Sequence, residues 1–166
     1  SEFEIFPNTK LSKENKKTVN GNNVRFIVGL GANLSLFSAG TELNIVGDQI
    51  GVPTSASLIA DVTVKCLEQI SAGSESFGIY NLVPEGQTSW YDYATIIVEL
   101  AEEFGCGNLL AADQIKKIAT ADYKTPAKRP LNSRLDTTKL KETFGLELPM
   151  WDRDVRTVLA KLIFST

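Results

Sequence analysis

Apolar and polar residues follow clear helix and strand patterns over most of the chain from residue 43 onward. Apolar positions recur at helical spacing, and helices are predicted at residues 55–72, 89–104, 137–144 and 152–164. Strands are predicted at residues 43–47 and 77–83, with a weaker one at 115–119. This alternation of helices and short strands predicts an α/β fold, in which the helices pack on a small mixed sheet that contains residues 43–47 and 77–83.

Residues that begin and end helices support these boundaries. Ser89 and Asp92 have the spacing of a capping box. The first helix is expected to begin at Thr54 or Ser55, and the third at Asp136 or Thr137. The glycines that end helices are Gly73, Gly105 and Gly145.

The amino-terminal region is harder to interpret. Residues 1–23 are polar and rich in Lys and Asn, which predicts an arm with little core of its own and a turn at Asn20–Asn23. Ser1-Glu2-Phe3 could be an expression-vector scar. Residues 24–38 are apolar enough for a helix, but Gly29 and Gly31 weaken that interpretation and β-branched residues lie at its start. The predicted organisation is therefore an arm over 1–23 and a domain over 24–166.

Composition limits the possible functions. The chain has 166 residues, enough for about one domain, with 43% apolar and 22% charged residues. A net charge of −3 argues against sequence-independent nucleic-acid binding. The chain has no His and two cysteines, Cys66 and Cys106, both expected to be free buried thiols, so zinc and His-based chemistry are not expected. With neither a signal peptide nor a membrane-spanning run, a cytoplasmic location without membrane association is expected.

The strongest functional signal is the loop Tyr123-Lys-Thr-Pro-Ala-Lys-Arg-Pro-Leu-Asn-Ser-Arg-Leu-Asp136. Pro126 and Pro130 stiffen the backbone around Lys128 and Arg129. A guanidinium on a stiff loop suits bidentate recognition of phosphate oxygens. The alternative is a solvated loop with a proline-stiffened helix entry.

Dinucleotide binding has little support in the chain. Gly29 and Gly31 form a Gly-x-Gly without a third glycine, and no clear helix follows them. Three strands are also too few for a complete doubly wound nucleotide-binding domain. The chain looks like part of something larger.

Several segments occur in an order known from one family. They are Asp48-Gln-Ile-Gly-Val-Pro-Thr54, Leu58-Ile-Ala-Asp61, Gly78-Ile-Tyr-Asn-Leu-Val83, Thr88-Ser-Trp-Tyr-Asp-Tyr-Ala94, the Tyr123–Asp136 loop and Leu148-Pro-Met-Trp-Asp152. Together they resemble dTDP-4-dehydrorhamnose reductase, an extended short-chain dehydrogenase/reductase. The resemblance runs from about Leu43 to Phe164, which is the carboxy-terminal half of such an enzyme.

The resemblance implies a substrate-binding domain that closes over a dTDP-sugar. Arg129 would contact the diphosphate or the sugar. The other substrate-binding residues implied are Lys128, Asn132, Ser133, Asp48, Gln49 and Thr54. For Asp48 and Thr54, turn and helix-cap hydrogen bonds are an equal alternative. Arg134 is expected to be structural or exposed. Trp90 and Tyr93 are expected in the core, which leaves Tyr91 as the aromatic side chain that could be exposed.

The departures from the family matter as much as the match. The half that would supply the NAD(P)H site and a catalytic Thr, Tyr and Lys is absent, so no cofactor is expected in this chain. Phe6 and Lys10 have the spacing of the family's Tyr-x-x-x-Lys, either as a remnant or by chance in a frayed arm. A phenyl ring has no proton to donate, so the chain alone should be catalytically incompetent.

Two functions stay open. The chain is either the dTDP-sugar-binding half of a reductase-like protein, with weak ligand binding, or a non-catalytic self-association or interaction module derived from it. Whether the missing half is absent from the gene or supplied by another chain is also open. Residues 24–38 are expected to cover the apolar face that the missing half would otherwise bury, either within one chain or by exchange between two chains. A homodimer in which these residues contribute much of the contact is the expected form.

Overall fold

A computed structural model describes residues 15–19, 22–28, 43–106, 112–123 and 129–164. The strands in this part are β1 (Asn15–Val19), β2 (Asn22–Val28), β3 (Leu43–Val46), β4 (Ile50–Gly51), β5 (Gly78–Leu82), β6 (Thr88–Ser89) and β7 (Ile115–Ile118). The helices are α1 (Ala56–Ser71), α2 (Trp90–Glu103), α3 (Thr138–Phe144) and α4 (Trp151–Phe164), with short 3-10 turns at Ala112–Gln114 and Thr120–Asp122. The α/β class predicted from the sequence is confirmed.

The helices begin and end within one residue of their predicted positions because their caps are local. The Ser55 hydroxyl accepts a hydrogen bond from the Leu58 N–H at 3.0 Å, so Ser55 caps α1. The Ser89 hydroxyl accepts one from the Asp92 N–H at 3.0 Å. α3 ends at Gly145, whose φ of 59° is a left-handed conformation that glycine adopts without strain.

The strands form three small sheets. β2 lies between β1, to which it is antiparallel, and β5, to which it is parallel. β3 pairs with β7 in parallel, and β4 pairs with β6 in antiparallel orientation. The expectation that residues 43–47 and 77–83 share one sheet is therefore wrong for the described strands, since their partners are β7 and β2.

The amino-terminal expectations also need correction. The region predicted as an arm contains β1, and residues 24–28, at the start of the segment whose conformation was left open, belong to strand β2. The β-branched residues at the start of that segment were the better signal. Phe6, Lys10 and residues 29–42 lie outside the described residues.

The described core consists of three apolar clusters, each formed where a different set of helices and strands packs together. The first joins α1, α3 and β5, and its buried side chains include Leu58, Val62, Cys66, Tyr80, Leu82 and Leu140. The second joins α2 to β3 and β7 through Ile45, Ile97, Val98 and Ile115. The third contains Val52, Val83 and Trp151, with Tyr93 packed against it. No helix in the described ranges is both long and apolar enough to cross a membrane.

The aromatic residues of α2 and the two cysteines differ in part from expectation. Trp90 and Tyr93 pack against the core as predicted, but Tyr91 is also partly buried there. The Lys117 ammonium lies 5.4 Å from the centre of the Tyr91 ring. Both cysteines are free thiols; Cys66 is buried in α1, and burial raises its pKa to about 11. Cys106 follows the end of α2 and is only half-buried.

Candidate functional site

The Asp48–Gln49 turn and the basic loop, which carry two groups of predicted site residues, meet along β4. The Ile50 N–H donates to the Leu131 carbonyl at 2.8 Å, and the Ser133 N–H donates to the Ile50 carbonyl at 2.8 Å. These two bonds form a parallel bridge between Ile50 and Asn132. Because Asp48 and Gln49 directly precede β4, the bridge brings them close to the loop that carries Asn132 and Ser133. The Leu131–Ser133 stretch is therefore held by backbone bonds, as a short strand would be.

Asp48 closes the turn that follows β7. Both of its carboxylate oxygens accept the Thr120 N–H, at 3.0 and 3.1 Å, and one accepts the Thr120 hydroxyl at 2.6 Å. These bonds from the side chain and backbone of Thr120 lower the pKa of Asp48. The buried Gln49 amide donates to the same Thr120 hydroxyl at 3.1 Å. Asp48 therefore has the turn-capping role that was the alternative to substrate contact.

Thr54 is buried, and its hydroxyl donates to the Val52 carbonyl at 3.4 Å. The helix cap is the next residue, Ser55. The Ser55 N–H and hydroxyl both donate to the Asp154 carboxylate, at 3.1 and 2.8 Å. Thr54 thus supports a turn at the entrance to α1, and the polar contact that ties this entrance to α4 comes from Ser55 and Asp154.

The described part of the basic loop contains one half-buried cation and one exposed cation. Arg129 is half-buried, Lys128 lies outside the described residues, and Asn132 and Ser133 are exposed. Arg134 is exposed, as expected, and its role is structural. It donates to the Asn132 side-chain oxygen at 2.9 Å and to the Gln87 side-chain oxygen at 2.7 Å.

A small cleft lies beside β4 and β6. It is lined by Gln49, Gly51, Val52, Pro53, Thr88, Ser89, Trp90 and Tyr93. Its empty volume of about 210 Å³ includes open solvent, so the space that the cleft encloses is only a fraction of that figure. Burial, together with the negative charge of Asp154, raises the pKa of Tyr93 to about 12, so its phenol is protonated at neutral pH. The described residues of the cleft thus enclose space for one edge of a ligand.

Sequence reasoning did not find Gln87, Thr88 or Thr120, although each contacts or lines the site. Their positions depend on pairing between distant segments, and no local pattern marks them. In the described part of the chain no group of three potential metal-ligating side chains occurs.

The residues present do not fit a dinucleotide site. Gly29 and Gly31 directly follow strand β2, a context that the sequence interpretation did not foresee. The position for the third glycine of a dinucleotide-binding turn, however, is occupied by Leu34. A side chain there opposes the close helix–strand packing that this turn needs. We therefore do not assign a dinucleotide-binding turn to Gly29 and Gly31.

Comparison with known proteins places the chain and its fold in one family. Residues 22–164 match the RmlD substrate-binding domain. A dTDP-4-dehydrorhamnose reductase of Escherichia coli strain K12 is 40% identical over 125 residues, which are 75% of this chain and 41% of that protein. Another Escherichia coli protein of that name is 36% identical over 174 aligned positions, covering 98% of this chain and 57% of its own length.

A solved structure gives the same result. A dTDP-4-dehydrorhamnose reductase from Clostridium acetobutylicum superposes with a TM-score of 0.64 at 26% identity, over 84% of this chain and 48% of that one. This chain thus spans about two fifths to three fifths of the length of these relatives. The match also begins near residue 22, earlier than the resemblance from Leu43 indicated. The chain belongs to the RmlD substrate-binding domain family.

Proposed function

We propose that this chain is the dTDP-sugar-binding half of a dTDP-4-dehydrorhamnose reductase-like protein. The observation that carries the proposal is the backbone bridge between Ile50 and Asn132, which holds the basic loop against the Asp48–Gln49 turn. Family membership supports it, since the matching domain is described as substrate-binding.

The chemistry of the loop suits an anionic ligand. Arg129 supplies a guanidinium that can bind two phosphate oxygens at once, and Pro130 restricts the backbone next to it. Asn132 and Ser133 add neutral polar groups three and four positions after Arg129. Because the bridge to β4 already orders part of the loop, less conformational entropy is lost on binding.

The ligand should be bound weakly and not turned over by this chain alone. The described residues of the cleft enclose space for one edge of a ligand, so much of a nucleotide-sugar would stay exposed to water. Reduction would also need a hydride donor and a proton donor at the sugar carbonyl. A glycine-rich turn for NAD(P)H is not complete in the sequence. If the Phe6 and Lys10 spacing is a remnant of the family's Tyr-x-x-x-Lys rather than chance, Phe6 has no proton to donate at that position.

Isothermal titration of the full chain with dTDP and dTDP-rhamnose tests the proposal. We expect weak saturable binding that Arg129→Ala abolishes. Arg156→Ala is the matched control, since Arg156 pairs with Glu103 at the far end of α2. The 14 residues of α2 place that end about 20 Å from the cleft. Equal binding by the native chain and Arg129→Ala would remove Arg129 from the site.

The same titration with NADPH should give no saturable signal. Saturable micromolar binding of NADPH would contradict the expected lack of a cofactor site. If the chain binds neither dTDP nor dTDP-rhamnose, the remaining function is a non-catalytic self-association or interaction module.

A further inference from the structure

The side-chain amide of Asn132 has a defined orientation. Its Oδ1 accepts two hydrogen bonds from Arg134, one from the backbone N–H at 3.1 Å and one from Nε at 2.9 Å. Both of these Arg134 groups are donors only, so the atom facing them must be the amide oxygen and not the nitrogen. Nδ2, with two N–H donors, is therefore the branch that remains for a ligand. No acceptor in the described part of the chain is hydrogen-bonded to it.

Gln87 holds the guanidinium of Arg134, which in turn orients the side-chain amide of Asn132. An NH1 group of Arg134 donates to Gln87 Oε1 at 2.7 Å, across 47 positions of the sequence. Gln87 directly precedes β6, whose residues Thr88 and Ser89 are buried and paired with β4. The Arg134 guanidinium is thus held between the loop and a buried strand, which limits its rotation about the Asn132 oxygen.

We propose that Gln87 and Arg134 are positioning residues that present the Nδ2 of Asn132 to a diphosphate oxygen of the bound nucleotide-sugar. The inference rests on the proposed function and assigns a role within that site. A donor whose direction is already fixed costs little reorganisation when it meets a negative oxygen. Arg129, three positions earlier, favours an anion at this end of the loop. A sugar hydroxyl also accepts hydrogen bonds, but it gains less from the neighbouring guanidinium.

The test is a dTDP titration of the full chain followed by nitrogen–proton correlation NMR. The two side-chain N–H signals of Asn132 are assigned by their loss in Asn132→Asp. In the native chain they should shift as dTDP is added. The carboxylate of Asn132→Asp still accepts from Arg134 but has no donor for the ligand. The dTDP dissociation constant should rise at least about tenfold, because the variant loses a hydrogen bond to a charged group and adds a negative charge beside the diphosphate. The shifts of the Asn132 side-chain signals in the native chain separate a direct contact from this added repulsion.

A pair of Gln87 variants tests positioning separately from contact. Gln87→Ala frees the Arg134 guanidinium and should weaken dTDP binding by about threefold to tenfold, which corresponds to losing one modest hydrogen bond. Gln87→Glu keeps an acceptor for Arg134 and should bind as the native chain does. If Gln87→Ala weakened binding through a general loss of structure, Gln87→Glu would not restore dTDP binding. The unfolding midpoints of all variants should stay near the native value, as is usual for exposed sites.

The outcomes separate this inference from the function on which it rests. If dTDP shifts no signals of the native chain at millimolar concentration, the proposed function is wrong and this inference fails with it. If dTDP shifts other signals while those of Asn132 stay in place, or Asn132→Asp binds as the native chain does, only the assignment to Asn132 is wrong. Equal binding by Gln87→Ala and the native chain would remove the positioning role.

Discussion

At the scale of single residues, Asp154 is the side chain whose loss should destabilise the fold most among the polar groups. It is buried on α4 and accepts both the N–H and the hydroxyl of Ser55, the cap of α1. Asp154→Ala would leave those two donors without their acceptor. We expect the free energy of unfolding to fall by about 2–3 kcal/mol, measured by urea denaturation.

The matched control for this prediction is Asp152→Ala in the same helical turn. Asp152 is exposed and accepts only the N–H of the next residue, Arg153. Its loss should cost less than about 1 kcal/mol, the size of a favourable charge near a helix N-terminus. Similar losses in both variants would mean that the Ser55–Asp154 contact contributes nothing specific.

Asp48 provides a prediction about pH. Its pKa lies below the ordinary value of 3.8 because Thr120 donates to the ionised carboxylate. A depressed folded-state pKa means that the contribution to stability is present above the unfolded-state pKa and is lost as pH falls through the folded-state value. Thr120→Val removes the hydroxyl donor but keeps the N–H, so the pKa should rise part of the way toward 3.8.

Carbon-detected NMR of the carboxyl groups measures this change. Asp136 is the internal control, because its pKa is lowered by Thr138 and should not change in Thr120→Val. An Asp48 pKa that is the same in both chains would show that the Thr120 hydroxyl does not set it.

At the scale of elements, α3 is held in place by its two buried side chains, Leu140 and Phe144, more than by its length. The helix has only seven residues, too few to be stable alone in water. Leu140 is fully buried against α1 and β5. Leu140→Ala should therefore lower the free energy of unfolding by about 2–5 kcal/mol. Leu162→Ala, at a leucine that is 58% exposed on α4, should cost about 0.5 kcal/mol or less.

Chemical denaturation measures the free energy of unfolding of both variants. If the NMR signals of α3 are lost in Leu140→Ala while the rest of the chain stays folded, the helix docks locally through this side chain. A loss below about 1 kcal/mol would contradict the assignment of Leu140 to the core, where leucine truncation costs more.

The elements also show what could be predicted from sequence. Helix boundaries were predictable because caps such as Ser55, Ser89 and Gly145 act within one turn. Sheet partners were not: β3 pairs with β7 across about 70 residues, and strand patterns do not specify partners. For the candidate site, too, local features were predictable from the sequence and long-range contacts were not. The basic loop was visible in sequence, whereas the Asp48–Thr120 and Arg134–Gln87 contacts depend on long-range pairing.

At the scale of the whole molecule, the face of β5 opposite the core is the surface at which we expect a dimer contact. Tyr80 packs into the core with α1 and α3, so its neighbour Ile79 lies on the other face of the sheet, where it is 51% exposed. Parallel strand pairs such as β2 and β5 are usually covered on both faces. The backbone of β2 already pairs on both edges within the chain, so residues 24–28 cannot add a further strand to a partner.

We therefore expect a homodimer in which the Ile79 face is buried against a second copy. Light scattering at high protein concentration should give twice the 18.1 kDa mass of the chain. Ile79→Glu should return the monomer, because a charge buried in an apolar contact is costly. Val64→Glu is the matched control, since Val64 is 53% exposed on α1 and its variant should stay dimeric. A native particle of 18.1 kDa would contradict the dimer, and a dimeric Ile79→Glu would place the contact on another face.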